Sequence, residues 1–136
     1  MAIVLDSSAA AQVAMGSPEG RALQAFLLDE EEVFAPDLLQ IECAHVFWKY
    51  VHAGTLSIKQ AQAYYRDAVS LATRYIRQND LMDEVLATAA RLDHPAYDVL
   101  YLVLARRMAA PLMSCDRKLL ELCEHEGVDC LPVVNM

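Results

Sequence analysis

The chain has 136 residues, of which 56% are hydrophobic and 22% are charged. With only 4 glycines and 5 prolines, it is predicted to form one globular domain over residues 1–136, and a disordered chain is excluded. The formal net charge of −8 excludes a general nucleic-acid-coating protein, whose affinity would come from a basic surface. It does not exclude an enzyme that approaches nucleic acid through metal ions.

The apolar runs and the cysteines indicate the compartment. No apolar run approaches the roughly 20 residues of a membrane-spanning helix, so no membrane association is expected. Residues 1–10 contain no basic stretch typical of a secretory signal, and a cytoplasmic protein is therefore predicted. The 4 cysteines form no C-x-x-C pair, which favours reduced thiols over a disulfide framework or a zinc site.

Helices are predicted from apolar spacing and from capping residues. Ser7 or Ser8 is expected to cap the first helix, which ends near Met15. Pro36 suits the first position of a later helix, because its missing N–H costs nothing there. Ser57 and then Asn79 or Asp80 are expected to cap two more. The predicted helices cover residues 7–15, 19–28, 36–52, 58–73, 81–92, 96–110 and 117–126.

Short apolar runs between these helices are typical of buried strands. Strands are predicted over residues 2–5, 33–35, 75–76, 111–115 and 130–134, and the acidic residues 29–32 are expected to form a solvated connection. Strands that alternate with longer helices indicate an α/β domain with a mostly parallel sheet.

Two aspartates follow predicted strands directly. Asp6 comes after the first strand, and Asp116 comes after the strand at residues 111–115. Ligands of parallel sheets bind beyond the carboxyl ends of the strands, which makes both carboxylates candidates for a site. Each of them, taken alone, is equally compatible with a helix N-cap.

Two further acids lie on apolar helix faces. Glu42 is three residues from Leu39 and four from Val46, so it shares their face. Asp98 has the same spacing to Tyr101 and Leu102. An inward carboxylate is costly unless it is paired or bound to a metal, although a satisfied buried acid is the alternative for each one.

Together the 4 acids are predicted to meet in one cleft. Bare carboxylates packed there would repel each other, and a divalent cation would remove that cost. Oxygen ligands without paired cysteine or histidine favour Mg²⁺ or Mn²⁺. Such ions activate water for the hydrolysis of a phosphodiester, which is the chemistry we expect.

Four segments resemble a known family. They are IVLDSSA (3–9), IECAHV (41–46), YDVLYLVLA (97–105) and SCDRKLL (114–120). In order and spacing they are similar to PIN domains, and in particular to the VapC-like toxin ribonucleases of type II toxin–antitoxin pairs. The resemblance covers essentially the whole chain, and it implies a three-layer α/β/α sandwich around a mostly parallel sheet.

The resemblance also implies roles for individual residues. It implies a metal-dependent endoribonuclease in which Asp6, Glu42, Asp98 and Asp116 are catalytic and hold Mg²⁺ or Mn²⁺. Ser8 matches a small hydroxyl position near the first acid, and Ser114 matches a residue that braces the site. Some members carry a further acid after the last aspartate. Here Lys118 stands in that region, and Lys118 and its neighbour Arg117 are candidates for binding the RNA substrate.

The family further implies a cognate antitoxin protein and a homodimer. The aromatic residues of 36–52 and 58–75, namely Phe47, Trp48, Tyr50, Tyr64 and Tyr65, are consistent either with a groove for a partner helix or with ordinary core packing. Two other functions stay open. The chain could be a catalytically silent PIN-fold scaffold, or an RNA-processing nuclease without an antitoxin.

Overall fold

The computed structural model describes residues 2–27 and 32–132. Five strands in these ranges form one sheet in which every neighbouring pair is parallel. In chain order the strands are β1 (Ala2–Leu5), β2 (Glu32–Pro36), β3 (Arg74–Ile76), β4 (Leu112–Met113) and β5 (Cys130–Leu131). The predicted α/β class with a parallel sheet is confirmed.

The helices of the described ranges connect these strands. They are α1 (Ser7–Met15), α2 (Pro18–Leu27), α3 (Leu38–His52), α4 (Ile58–Ser70), α5 (Met82–Leu92), α6 (Ala96–Met108) and α7 (Arg117–His125), with a 3-10 turn at Gln78–Leu81 before α5. Within the part of the chain that the structure describes, none of these helices is both long and apolar enough to span a bilayer.

The order of the strands places a crevice at the centre of the sheet. The order is β3-β2-β1-β4-β5, so the chain moves outward on one side of β1 and then crosses to β4 on its other side. Right-handed crossovers then place α1–α4 on one face of the sheet and α5–α7 on the opposite face. The result is three layers, and the direction reverses between β1 and β4, where parallel sheets bind their ligands.

The two central elements of the core are β1 and α6. Ile3, Val4 and Leu5 are at most 2% exposed, and α6 is buried without a break from Val99 to Ala105. A helix that is apolar all round belongs in the interior of a layered fold. This burial fixes the positions of the polar residues at the ends of both elements.

Several predicted boundaries were wrong for identifiable reasons. Pro36 does not begin a helix but ends β2, where it lies opposite Ile76. The next amide, that of Asp37, donates to the Ile76 carbonyl, and α3 begins only at Leu38. Thr73 does not extend α4, because its backbone N–H and its hydroxyl oxygen both bond to Val33 and tie the chain to β2.

The caps also differ in part from prediction. Neither serine of residues 7–8 caps α1, because Asp6 does so by accepting from the Ala9 N–H. Ser57 caps α4 as predicted, in a reciprocal capping box with Gln60. Asn79 and Asp80 form the 3-10 turn instead of capping, and α5 begins without a side-chain cap.

Three parts of the predictions lie partly or wholly outside the described residues. These parts are residues 29–31 of the expected acidic connection, Val133–Val134 of the last strand, and Leu28 at the end of the second predicted helix. All four cysteines are free thiols, as the sequence predicted.

Candidate active site

The site lies at the carboxyl edge of the sheet, around the crevice between β1 and β4. Asp6 follows β1 directly, and Ser114 follows β4 directly. Asp116 comes two residues later and begins α7, while Glu42 lies on α3 and Asp98 lies in the first turn of α6. Sheet topology therefore gathers residues from both faces at one edge.

Asp6 is buried and strongly hydrogen-bonded. Its side chain accepts from the Ser8 hydroxyl at 2.8 Å, from the Ser114 hydroxyl at 2.6 Å and from the Ala9 N–H at 2.9 Å. Burial raises its pKa to about 6, and the charge of Asp116 adds to the rise, although the three hydrogen bonds oppose it. Asp6 therefore carries a charge that its surroundings only partly stabilise.

Ser8 and Ser114 join the two halves of the site. Because both hydroxyls donate to Asp6, their oxygens are free to accept from the backbone. Ser8 Oγ accepts from the Cys115 N–H and Ser114 Oγ accepts from the Asp116 N–H, each at 2.9 Å. Ser114 is 0% exposed, so this network holds the turn after β4 against the turn after β1.

Glu42 is half-buried on α3. The Tyr101 hydroxyl of α6 donates to its Oε1 at 2.6 Å. Burial raises the pKa of Glu42, and the negative charges of Asp98 and Asp116 raise it further, against the hydrogen bonds from Tyr101 and Ser7. The predicted inward direction is thus only partly realised, because α3 turns Leu39, Cys43 and Phe47 fully into the core and leaves Glu42 at its edge.

Asp98 and Asp116 are each held by a local partner. The Asp98 carboxylate contacts His94 Nε2 at 2.9 Å, one helical turn earlier in sequence. Asp116 caps α7 and accepts from the Lys118 N–H at 2.9 Å and from the Leu119 N–H at 3.4 Å. Asp6 and Asp116, the two aspartates that follow strands, therefore both cap helices, as the N-cap alternative predicted. A carboxylate that caps a helix can still have a free oxygen.

The four carboxylates are the kind of ligand that an oxygen-preferring cation binds, but their side chains are not arranged as a complete metal site. Within residues 2–27 and 32–132, no three of the His, Cys, Asp and Glu side chains form a ready-made metal cluster. In the same ranges no lysine or arginine side chain pairs with Asp6, Glu42 or Asp116. Each acid instead turns to a neutral donor or to histidine, as mutually repelling carboxylates do when no cation separates them.

The predicted basic residues are less engaged with the site. Arg117 is highly exposed and lies 3.5 Å from Glu121 on its own helix. Lys118 contacts Asp116 through its backbone N–H rather than through its ammonium group. Neither side chain is held against the acids.

An open cleft of about 720 Å³ leads into the site. Its walls come from α3, from Ser7 at the start of α1 and from Tyr97 at the start of α6, and Glu42 lies among the lining residues. Lys49 and Trp48 line it as well. The cleft opens the half-buried carboxylate of Glu42 to solvent.

Sequence reasoning missed three partners of the acids. The sequence analysis places Tyr101 on an apolar helix face and Ser7 at a cap, and it gives His94 no role. Tyr101 and Asp98 are three residues apart in YDVLYLVLA, so their shared helix face was visible in the sequence. The contact of this tyrosine with Glu42, 59 residues away in the chain, was not visible in the sequence.

The five-stranded parallel sheet and the acids along its edge define a class of protein, namely an α/β sandwich with carboxylates at the crevice between its central strands. The sequence matches the PIN domain family over residues 3–124, and the chain belongs to this family.

Two relatives extend this assignment. Ribonuclease VapC3 of Pyrobaculum aerophilum is 28% identical over 125 residues, which cover 89% of this chain and 94% of the relative. The crystal structure of PAE2754 from the same organism superposes with a TM-score of 0.73 at 22% identity, over 89% of this chain and 78% of the other. The structural likeness supports the fold.

Proposed function

We propose that this protein is a metal-dependent endoribonuclease and the toxin of a toxin–antitoxin pair. The observation that carries the proposal is the geometry around Asp6, a buried carboxylate at the carboxyl edge of the sheet that is held by the Ser8 and Ser114 hydroxyls near the charge of Asp116. Burial also raises its pKa to about 6. A group in this state is typical of a site that holds a cation or transfers protons. The similarity to a relative named Ribonuclease VapC3 supplies the reaction class.

Asp6, Glu42, Asp98 and Asp116 are the residues that would hold Mg²⁺ or Mn²⁺, with oxygen donors from three helices and one strand end. When bound, the ion would activate water and neutralise charge on a phosphate.

The other residues of the site keep these acids in place. Ser8 and Ser114 fix the Asp6 carboxylate with two hydroxyl donors, and Tyr101 fixes one oxygen of Glu42. His94 orients Asp98 through one oxygen and leaves the other available. Held carboxylates lose little further freedom when they bind a ligand, which is the physical value of such supporting contacts.

Partners and location follow from the same proposal. The substrate is RNA, which enters through the cleft beside Glu42, with Arg117 and Lys118 as candidates for a phosphate contact. The proposed function includes a cognate antitoxin, a homodimer and a cytoplasmic location. Support for these three comes only from the resemblance to VapC-like proteins.

The first test is a calorimetric titration of Mn²⁺ into the purified protein and into Asp98→Asn, followed by the addition of an RNA pool. We expect the wild type to bind Mn²⁺ and cut RNA, and the variant to lose both activities while keeping its circular dichroism spectrum. Asp129→Asn is the matched control, because this acid lies on the turn before β5, away from the carboxyl edge.

A second candidate is a catalytically silent scaffold of the same fold, which would keep the four acids without cleaving RNA. Expression of the chain in bacteria separates the two. A toxin stops growth and Asp98→Asn relieves the arrest, whereas a scaffold leaves growth unchanged. RNA cleavage that persists in clean Asp98→Asn protein would contradict the assigned roles.

A further inference from the structure

One face of α3 carries a row of stacked rings that the proposed chemistry does not use. The rings of His45 and Trp48 lie 5.4 Å apart, and those of Trp48 and His52 lie 5.1 Å apart, with interplanar angles of 19° and 17°. All three side chains are exposed, and we call them the ring stack. Trp48 is 53% exposed, although large aromatic side chains are usually mostly buried.

The ring stack is not part of the core. The buried face of α3 consists of Leu39, Cys43 and Phe47, while the stack projects from the other side of the helix. Phe47 is the residue of the predicted aromatic groove that turns inward, where it packs against Tyr64. Trp48 therefore contributes little to folding, and its exposure needs another physical reason.

The ring stack leads to the candidate active site. His45 is three residues after Glu42, so both lie on neighbouring turns of one helix face. Glu42, His45 and Trp48 line the same cleft, and the exposed ring of Tyr97 lines it as well. A strand held at Glu42 would have its adjacent bases beside these rings.

The described lining of the cleft is less acidic than the chain as a whole. The whole chain carries 19 acidic and 11 basic side chains, yet Glu42 is the only carboxylate among the residues that line this cleft. Lys49 adds a cation next to Trp48, and imidazoles can donate hydrogen bonds to phosphates as well as stack on bases.

We propose that the ring stack binds unpaired nucleobases of the RNA strand whose phosphate reaches Glu42. This inference rests on the proposed nuclease function and assigns to it a base-binding site on α3. Bases within a duplex have no free faces, whereas unpaired bases stack on aromatic and imidazole rings without strict sequence preference. His45 and Trp48 are positioning residues in this proposal and take no part in the bond cleavage.

Trp48 is the only tryptophan of the chain, so its fluorescence reports directly on the stack. The probe is a 2′-O-methyl RNA hexamer in buffer with EDTA, which removes the divalent ions that the proposed cleavage requires. We expect quenching of Trp48, and we expect His45→Ala to weaken binding between about fivefold and about a hundredfold, the range for loss of one stacked base. An abasic hexamer of the same charge is expected to bind as weakly as the variant does.

Two variants complete the experiment. Trp48→Leu is tested with a dye-labelled hexamer by anisotropy, and a loss similar to that of His45→Ala is expected. His125→Ala removes an exposed imidazole at the end of α7 and is expected to bind as the wild type does. With Mn²⁺ and cleavable RNA, the stack variants are expected to raise KM and to leave kcat nearly unchanged.

Three results would overturn the ring-stack proposal. These are no quenching by the hexamer, equal binding of the abasic hexamer, and Trp48 fluorescence that changes with protein concentration rather than with RNA. The last result would show that a protein chain covers the stack, through the apolar groove of Trp48, Val51 and Ile58 between α3 and α4. Base-dependent quenching without any cleavage by the wild type would support the stack and contradict the nuclease.

Discussion

The Ser114 hydroxyl donates to the buried carboxylate of Asp6 at 2.6 Å, across a gap of 108 residues in sequence. The bond joins the end of β4 to the end of β1, on the two sides of the crevice in the sheet. Since Ser114 also accepts from the Asp116 N–H, one side chain sets the relation between two of the candidate acids. The site thus depends on a hydroxyl that is itself completely buried.

Removing this hydroxyl is expected to destabilise the fold. Ser114→Ala leaves Asp6 with one donor fewer and leaves the Asp116 amide without its acceptor. We expect the free energy of unfolding to fall by about 1–3 kcal/mol, the range for a buried polar group that loses its partner. Urea denaturation measures this, and Ser70→Ala on the exposed end of α4 is the control, expected within about 0.5 kcal/mol.

Asp6→Asn is expected to stabilise the folded state at neutral pH. The pKa of Asp6 in the folded protein is about 6 against an ordinary value of 3.8, so the folded protein binds more protons between these pH values. Its contribution to stability is therefore present below pH 3.8 and is lost as the pH rises through 6. At pH 7.5 the full pKa shift of Asp6 corresponds to a loss of about 3 kcal/mol in folding stability. The uncharged amide of the Asp6→Asn variant is expected to recover part of this loss.

The measurement is urea denaturation of both proteins in EDTA at pH 7.5 and pH 4.5. We expect the variant to be more stable by about 1 kcal/mol at the higher pH, with the difference shrinking at the lower one. A variant that is less stable than the wild type by the same amount at both pH values would contradict an ionised, poorly stabilised Asp6.

Tyr101→Phe tests the contact between α6 and α3. The variant loses the hydroxyl that donates to Glu42 at 2.6 Å, while the ring stays in the core. We expect a loss of about 1 kcal/mol in the free energy of unfolding. If Glu42 holds a metal as proposed, affinity for Mn²⁺ is expected to fall by roughly tenfold, as for other supporting hydrogen bonds.

Calorimetry with Mn²⁺ and urea denaturation give the two readouts for Tyr101→Phe. Tyr97→Phe is the control for stability, because its ring is 65% exposed. Unchanged Mn²⁺ affinity together with reduced stability would leave Tyr101 a purely structural residue and would remove it from the site.

Gly20→Ala tests the crossing of α1 and α2. A methyl group at Gly20 would lie 1.9 Å from the Gln12 carbonyl oxygen, and rigid backbone cannot yield as a flexible side chain does. The two helices would have to separate, and we expect a loss of about 2 kcal/mol or more despite the higher helix propensity of alanine. Gln24→Ala, at an exposed position of the same helix, is the control in thermal or urea unfolding.

The sequence predicted β1 and the Ser57 cap of α4 well, because both depend on a few neighbouring residues. Ala2–Leu5 is an uninterrupted apolar run that ends at an acid, and Ser57 with Gln60 is a local signal. Pro36 was placed wrongly, since the first position of a helix and the last position of a strand both tolerate a missing N–H. Local rules alone do not separate these two environments.

The burial of the acids was predicted less well. Apolar periodicity placed Glu42 on the same face as Leu39, but a carboxylate at the margin of that face can reach the solvent-filled cleft. The difference between the core and its edge is a rotation of a few tens of degrees about the helix. Periodicity over 15 residues does not resolve such a rotation.

The sequence alone predicts that Asp6 and Asp116 lie at one edge, because parallel strands end on the same side of a sheet. Which groups hold the acids depends on the packing of the layers. The Ser114 hydroxyl reaches Asp6 over 108 residues, and the Tyr101 hydroxyl reaches Glu42 over 59. Such pairs arise from how the layers pack, which is the sum of many weak contacts rather than the property of any short segment.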